Sequence, residues 1–272
     1  MIPPSFACGV LITAVLTSAA CAHADELPGF RRTGESWQFE KGDLKFNGVL
    51  LMPEGSGPFP AVLISHGLGG SAESFGLQKA REMVKWGYVC IAPNYTHNRN
   101  AMGGARPGGA RPFAPGTPGA GRGADFGASK ENLDRAETCL RILGSLPNVD
   151  EKRLFAYGHS MGGFVTIGLA ARGPKLLSAA AISGSGIALR AGYAAPSGTD
   201  AEKIRTPFIM FHGLDDTTVR PEQSRSLQEI LDRNKVPNRR HTYEGVGHPV
   251  DQQLSSEMYK LVREWFSEHA TK

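Results

Sequence analysis

The chain has 272 residues, of which 40% are hydrophobic and 21% are charged. These proportions are ordinary for a soluble globular protein. The formal net charge of +4 is small and the basic residues are spread along the chain, so we expect no nucleic-acid partner. No linker separates two self-sufficient halves, which favours one large α/β domain over two smaller ones.

Residues 1–24 have the pattern of a secretory signal peptide. Ala7 to Ala20 is apolar and small but too short to span a bilayer comfortably. Ala22-His23-Ala24 then forms an A-x-A cleavage site. We therefore predict cleavage after Ala24 and a secreted or periplasmic mature protein, residues 25–272, without a membrane span. The n-region departs from the pattern because it has no Lys or Arg.

Cys21 raises the alternative of a lipoprotein, which we rank lower because Ser18 stands where such signals usually carry Leu. Cleavage after Ala24 would leave Cys90 and Cys139. An exported protein can form one disulfide from such a pair, but two packed free thiols are equally reasonable. The sequence has no C-x-x-C motif and no pair of histidines at ligand spacing, so we expect no metal. We expect no organic cofactor either.

In chain order, predicted strands alternate with predicted helices. The strands are expected at residues 36–40, 44–52, 61–65, 88–92, 153–157, 177–182, 207–211 and 239–243. The helices are expected at residues 74–86, 130–143, 164–171, 221–235 and 252–269. The first two strands form a hairpin around Gly42-Asp43. The alternation predicts a mostly parallel central sheet with helices on both faces.

Two segments interrupt this alternation. Residues 98–127 are rich in Gly, Pro and Arg and contain a small duplication of Gly-Ala-Arg-Pro. They have too little apolar material to pack, so we predict a flexible surface insertion in preference to a specific lid. Its arginines leave open a weaker reading as an arm that binds polyanions. Residues 183–205 are also Gly-rich and could cap a pocket.

The sequence Gly158-His-Ser-Met-Gly162 is a G-x-S-x-G motif between a predicted strand and a predicted helix. A sharp strand-to-helix turn requires glycines on either side, because a Cβ would collide there. It would expose the Ser160 hydroxyl at a helix N-terminus, where developing negative charge is favoured. So short a pattern also arises by chance in Gly-rich turns, and a catalytic reading therefore requires a base and an acid elsewhere.

Three further loops supply candidates at the carboxyl ends of predicted strands, where open α/β sheets place their ligands. One is the Gly-rich loop 66–71, the second contains Asp215 and Asp216, and the third ends in His248. A serine hydroxyl needs a base such as imidazole, and a carboxylate orients that imidazole. The order Ser160, Asp, His248 therefore predicts nucleophilic catalysis by a Ser-His-Asp triad.

At this point the chain resembles the α/β-hydrolases, particularly dienelactone hydrolase-like and prolyl oligopeptidase-like members. The likeness covers nearly all of residues 42–268. It rests on Gly57-Pro-Phe-Pro-Ala-Val-Leu-Ile-Ser-His-Gly67, on the G-x-S-x-G motif, on His212-Gly-Leu-Asp-Asp216 with Val219, and on Gly247-His248. The resemblance implies the α/β-hydrolase fold.

The resemblance also implies roles for individual residues. It favours Asp216 over Asp215 as the acid of the triad. It implies that the backbone N–H groups of Leu68 and Met161 form an oxyanion hole. Gly67 and Gly69, beside Leu68 in the substrate-binding loop, should tolerate little substitution.

Two other histidines, His66 and His212, match structural positions of the family. His159, beside the nucleophile, is predicted to be a packing residue. Tyr95 and Asn94 end a predicted strand, and for these two residues a role in lining the substrate pocket and a purely structural role are equally reasonable.

The chain departs from the family in two ways. Its nucleophile position is Ser160, whereas dienelactone hydrolases often use cysteine, and no propeller domain precedes the catalytic one. We therefore predict a serine hydrolase acting on a small-molecule ester. A serine peptidase or amidase is the first alternative, and a non-catalytic binding protein on the same scaffold is the second. The acyl and alcohol groups and the oligomeric state stay open.

Overall fold

The computed structural model describes residues 27–98, 125–189 and 194–270. The predicted signal peptide, residues 1–24, lies outside the described residues. So does nearly all of the predicted insertion at residues 98–127. Within the described ranges, no helix is both long enough and apolar enough to cross a membrane.

One sheet of nine strands runs through the described part of the chain, in the order β1-β2-β3-β5-β4-β6-β7-β8-β9. The strands are β1 (Phe30–Thr33), β2 (Ser36–Lys41), β3 (Leu44–Leu51), β4 (Phe59–Ser65), β5 (Val89–Pro93), β6 (Val149–His159), β7 (Leu177–Ser183), β8 (Phe208–Gly213) and β9 (Asn238–Tyr243). The first three strands are antiparallel to their neighbours, and β5, β4, β6, β7, β8 and β9 are parallel to one another. The predicted mostly parallel sheet is therefore confirmed.

Helices cover both faces of this sheet, as predicted. They are α1 (Leu77–Val84), α2 (Lys130–Ser145), α3 (Met161–Ala171), α4 (Gly198–Ala201), α5 (Pro221–Arg233), α6 (Val250–Gln253) and α7 (Ser255–Glu268). Along β4, Ala61 and Leu63 belong to a core shared with α2, α3 and α5, while Val62 and Ile64 belong to a core shared with α1 and α7. This division follows from the two-residue period of a strand buried on both faces.

The two cysteines of the described residues lie on opposite sides of the sheet. Cys90 is buried in the core with α1 and α7, and Cys139 is buried in the core with α2, α3 and α5. Both are free thiols. Of the two alternatives left open by the sequence, the structure therefore supports packed free thiols.

Several element boundaries differ from the predictions. The predicted helix 74–86 begins as a π-helical turn, Ala72–Gly76, in which Ser71 and Ser74 form a capping box, and it becomes α-helical only at Leu77. The predicted helix 252–269 is divided at Leu254, whose backbone leaves the helical region, into α6 and α7. The short strand β1 was not predicted, because three of its four residues are exposed and it has no buried alternation.

Candidate active site

The turn between β6 and α3 contains a single residue, Ser160, whose backbone angles are φ 54° and ψ −122°. A positive φ is uncommon for a residue with a side chain. A Cβ at Gly158 would lie less than 3.0 Å from the carbonyl oxygen of Gly162, and a Cβ at Gly162 would lie less than 3.0 Å from that of Ser65. Glycine is therefore required on both sides of the serine.

Two serines, Ser183 at the end of β7 and Ser185 two residues beyond it, hold the Ser160 backbone in this conformation. The Ser160 N–H donates to the carbonyl oxygen of Ser183 at 2.9 Å, and the Ser160 carbonyl accepts the Ser185 hydroxyl at 2.9 Å. Strained backbone persists where surrounding contacts hold it in this way. Neither serine belongs to a recognisable motif, although both lie just after the predicted strand 177–182.

The structure brings Ser160, His248 and Asp216 together. His248 Nε2 lies 2.8 Å from Ser160 Oγ, and His248 Nδ1 lies 2.7 Å from Asp216 Oδ2. Because the carboxylate can only accept, Nδ1 of a neutral His248 carries the proton and Nε2 is free to accept the serine hydroxyl. This is the arrangement that deprotonation of a serine requires.

Asp216 is held as a carboxylate against Nδ1 of the His248 imidazole. Its Oδ1 accepts the backbone N–H groups of Thr218 and Val219, both at 2.9 Å. His212 Nε2 lies 3.3 Å from Asp216 Oδ2 and donates to the Val219 carbonyl at 2.8 Å. Burial acts to raise the pKa of Asp216, but its contacts with His212 and His248 lower it more, and the pKa lies below the usual range.

The structure separates the two adjacent aspartates that the sequence offered. Asp216 is 3% exposed and contacts His248. Asp215 is exposed, and its N–H donates to the Val246 carbonyl. The arrangement agrees with the preference for Asp216, and it gives Asp215 a role in holding the turn.

Two glycines bring the His248 loop onto the sheet. A Cβ at Gly213, the last residue of β8, would lie less than 3.0 Å from the carbonyl oxygens of Val246 and Gly247. Gly184 has a φ of 52°, and a Cβ there would lie 3.3 Å from His248 Nδ1. Gly213 belongs to the motif His212-Gly-Leu-Asp-Asp216, but the sequence did not predict that either glycine brings the His248 loop onto the sheet. A glycine just after a buried strand of a parallel sheet is the signal that could have indicated them.

The predicted oxyanion residues border Ser160. A Cβ at Gly67 would lie 3.2 Å from Ser160 Cβ, so the loop that contains Leu68 passes directly against the serine. Met161 is the first residue of α3, and the first N–H groups of a helix have no partner within it. Gly69 has a φ of 72°, which favours glycine at that position.

Buried histidines hold the loop that contains Leu68. The ring of His66 accepts the Tyr95 N–H through Nε2 at 3.1 Å, and the ring of His97 donates from Nε2 to the His66 carbonyl at 3.0 Å. The Gly69 N–H in turn donates to the His97 carbonyl at 3.0 Å. Burial lowers the pKa of His66 to about 4 and the pKa of His97 to about 3. Both are therefore neutral, and the structural role predicted for His66 agrees with these contacts.

The pocket-lining role considered for Tyr95 is wrong. Its side chain is 0% exposed, and its hydroxyl is paired with Ser65 Oγ at 2.9 Å. Asn94 is also structural, since its Oδ1 accepts the Ala72 N–H at 2.9 Å. The error arose because the direction of a side chain at a strand end depends on packing that a local pattern does not contain.

Two cavities lie away from Ser160, Asp216 and His248. One of about 390 Å³ is lined by residues of α2, α3 and α4, including Leu133 and Arg172. The other, of about 650 Å³, lies between α1 and α7 beside Trp86 and Arg263. Neither contains a triad residue. Among the residues that the structure describes, no three or more His, Cys, Asp and Glu side chains are grouped so as to hold a metal ion.

The chain matches the model of the dienelactone hydrolase family over residues 46–265. This match covers well over half of the chain. The protein is therefore a hydrolase with the α/β-hydrolase fold, and it belongs to the dienelactone hydrolase family. The resemblance stated from the motifs is confirmed.

A curated protein from Synechocystis sp., named "Putative carboxymethylenebutenolidase", is 29% identical over 213 residues, which are 76% of this chain and 81% of the relative. Among solved structures, a Klebsiella pneumoniae protein named "Putative Dienelactone Hydrolase" is 17% identical, with a TM-score of 0.66, and the match covers 85% of this chain and 98% of that one. At this identity the likeness shows the fold.

The same fold occurs as a part of larger peptidases. Porphyromonas gingivalis dipeptidyl peptidase 4 is 15% identical with a TM-score of 0.64, and Pyrococcus horikoshii acylaminoacyl peptidase is 17% identical with a TM-score of 0.68. The matches cover 83% and 91% of this chain. The chain spans only 34% and 43% of the length of these two peptidases.

Proposed function

We propose that this protein is a serine hydrolase that cleaves carboxylic esters through an acyl-enzyme. The observation that supports it best is the position of His248. One ring nitrogen lies 2.8 Å from Ser160 Oγ and the other lies 2.7 Å from Asp216 Oδ2. An imidazole held between a hydroxyl and a carboxylate is suited to move a proton in both directions.

In the first half of the reaction, Ser160 Oγ attacks the acyl carbonyl while its proton passes to His248 Nε2. Asp216 stabilises the imidazolium that forms and keeps its own negative charge. The Leu68 and Met161 N–H groups receive the oxyanion, where one donor is typically worth ~100- to 1000-fold in turnover. His248 then protonates the departing alkoxide, and Ser160 keeps the acyl group.

In the second half, water attacks the acyl-enzyme while its proton passes to His248, and collapse of the intermediate returns that proton to Ser160. The products are a carboxylic acid and an alcohol, so the atoms of ester and water balance. None of these steps uses a metal or an organic cofactor. The substrate we propose is a small-molecule ester.

An ester is favoured over an amide by the relatives that match this chain along most of their own length. The family is named for a lactone, which is a cyclic ester, and the Klebsiella protein named for the same activity matches over 98% of its chain. The peptidases match over 34% and 43% of theirs. The amidase reading therefore stays the alternative that a substrate panel must test.

The first experiment is intact-mass measurement after treatment with a fluorophosphonate, which labels an activated serine. We expect one adduct on the wild type and none on Ser160→Ala. Asp216→Asn should react at least 100-fold more slowly, since the imidazole loses its orienting carboxylate. Asp215→Asn is the matched control, and we expect it to react like the wild type.

Nitrophenyl esters and the corresponding anilides, run in parallel, then distinguish ester from amide cleavage. A faster anilide reaction would make the peptidase or amidase reading correct. A folded wild type without an adduct would contradict the proposal and favour a binding protein on the same scaffold.

The same mass measurement tests export, which we include in the proposal. If residues 1–24 are a cleaved signal peptide, the protein recovered from a periplasmic extract begins at Asp25. A mass that retains residues 1–24 would contradict that part alone.

A further inference from the structure

A buried ion pair lies near the triad, and the mechanism above does not use it. Lys79 Nζ lies 2.9 Å from Asp251 Oδ2, and the two side chains are 3% and 0% exposed. Lys79 also donates to the Asp251 backbone carbonyl at 3.2 Å. Burying two charges has a large desolvation cost, so such a pair is a reason to look for a function.

The pair connects α1 to the segment that contains the proposed base. Lys79 lies in α1, and Asp251 lies in α6, three residues after His248. The rings of Phe75 and Tyr259 lie 5.3 Å and 5.2 Å from Lys79 Nζ. These aromatic faces stabilise the cation. The amino group of Lys79 therefore lies against two aromatic rings and a carboxylate, at a site with little access to water.

His159 lies between this pair and His248. Its Nδ1 is 3.4 Å from Asp251 Oδ1 and 3.0 Å from Ser183 Oγ. Its ring centre lies 5.1 Å from that of His248. The other face of His159 stacks on Phe75 at 6.0 Å. A proton on His159 would thus place a positive charge beside the proposed base.

Four charged or titratable groups act on His159 from the elements packed around it, namely Asp251, Lys79, His248 and Asp216. Burial is the main cause that lowers the pKa of His159, which lies at about 4. Asp251 raises this pKa, whereas Lys79 and His248 lower it further. Among the described residues, Lys79 and His159 are the basic side chains within 4.0 Å of the Asp251 carboxylate, so a proton on His159 would be its remaining partner without Lys79.

We propose that Lys79 is a positioning residue of the hydrolase, which neutralises Asp251 and so keeps His159 uncharged beside His248. The inference rests on the proposed serine hydrolase function. An uncharged His159 leaves His248 the only imidazole that takes a proton during the reaction. A charged His159 would repel the imidazolium that forms on His248 and slow acylation.

The test is the pH dependence of kcat/KM for a nitrophenyl ester, whose acid limb reports ionisations of the free enzyme. In Lys79→Met the methionine keeps an apolar chain of similar length but leaves Asp251 without its cation. We expect His159 to take up a proton, and the acid limb to move to higher pH by about one unit. Lys85→Met is the matched control, since Lys85 is also at α1 but its side chain is 69% exposed.

Two double variants should restore the acid limb of the wild-type pH profile, each for a different reason. Lys79→Met with His159→Gln removes the group that takes up the proton. Lys79→Met with Asp251→Leu removes the unpaired carboxylate, and replacing a buried ion pair by apolar residues often preserves folding. If Lys79→Met alone does not fold, Lys79→Gln keeps a hydrogen-bond donor beside Asp251 without the charge, and its acid limb must then move to higher pH.

A purely structural role for the ion pair gives a different result. Lys79→Met would then lower kcat/KM equally at all pH values, and neither second substitution would move the acid limb. That result, or a shifted limb in the double variant Lys79→Met with Asp251→Leu, would overturn the inference. Fluorophosphonate labelling of the wild type separates this failure from failure of the proposed function, because labelling depends on Ser160 and not on Lys79.

Discussion

At Ser160 the backbone has φ 54° and ψ −122°, a conformation held by hydrogen bonds to Ser183 and Ser185. Angles in sparsely populated regions cost of order 1–3 kcal/mol per residue. The serine therefore contributes to the proposed chemistry at the expense of stability. Removing its Cβ, and not only its hydroxyl, should relieve that strain.

We predict that Ser160→Gly is more stable than Ser160→Ala. Both variants lose the hydroxyl, but only glycine adopts a positive φ without a steric penalty. The expected difference is about 1 kcal/mol in the free energy of unfolding, after the greater chain entropy of glycine in the unfolded state is subtracted. Urea denaturation of the two variants measures it.

The same two substitutions at Ser178 provide the control. Ser178 lies within β7, where glycine has no steric advantage and alanine should be the more stable variant. If alanine were also the more stable variant at position 160, the turn would not be strained.

The predicted site residues that the structure brings together are those that belong to local motifs. Ser160 and His248 each follow a strand and lie in a recognisable glycine-containing turn, and spacing from His212 favoured Asp216. Lys79 had no such signal, because its partner Asp251 is 172 residues away. Contacts between distant segments depend on the packing of elements, which a single local pattern does not contain.

At the scale of elements, the feature that positions the serine is the close approach of α3 to the end of β4. A Cβ at Gly162 would lie less than 3.0 Å from the carbonyl oxygens of Ser65 and His66. These are backbone atoms at the start of the loop that contains Leu68, so no side-chain movement can make room. Any larger residue at position 162 must therefore displace both α3 and this loop.

We predict that Gly162→Ala lowers the free energy of unfolding by at least ~2 kcal/mol, as overpacking against backbone typically does. Fluorophosphonate labelling should fall with it, because the displaced loop contains one proposed oxyanion donor. Urea denaturation and the labelling rate measure the two effects.

Gly144→Ala is the matched helical control. In α2 the added Cβ would meet its nearest neighbour, a Leu176 methyl group, at 3.5 Å, which is an ordinary contact. We expect that variant to be more stable by ~0.5–1 kcal/mol, because alanine favours the helix. Equal effects at both positions would show that close packing of α3 is not what constrains Gly162.

Element types were easier to predict than their ends. The apolar runs of β4 and β5 are continuous because both faces are buried, and this pattern is visible in the sequence. The division between α6 and α7 is not visible in the sequence, because the residues on either side of Leu254 keep helical periodicity. In the structure, Asp251 of α6 pairs with Lys79 of α1, a contact between distant segments that a local pattern does not contain.

At the scale of the whole molecule, the alternation of strands and helices predicts a parallel sheet but leaves the strand order open. That order, with β4 between β5 and β6, places the ends of β4 and β6 side by side. The Leu68 loop and Ser160 follow those two ends. Sequence motifs identify what lies in each loop, and the strand order brings the loops together.

Among the residues that the structure describes, three buried histidines have lowered pKa values, and this gives the protein a predictable sensitivity to acid. His66, His97 and His159 are at most 9% exposed. Burial lowers their pKa values to about 4, 3 and 4 respectively. Between the unfolded value of about 6.5 and these folded values, the unfolded chain binds protons that the folded chain does not. Each such histidine therefore favours unfolding as the pH falls through this range.

We predict that the free energy of unfolding decreases steadily from about pH 6.5 to pH 4, by up to about 1.4 kcal/mol per pH unit for each of the three histidines. Urea denaturation at intervals of half a pH unit measures the slope.

His97→Gln removes one titrating group, so the contribution of the three histidines to the slope should become smaller by about one third. Gly144→Ala should displace the whole curve without changing its slope, because it alters stability but no ionisation. A slope that stayed near zero between pH 6.5 and pH 5 would mean that the folded protein takes up these protons, and the buried network that holds the Leu68 loop would then have to open in mild acid.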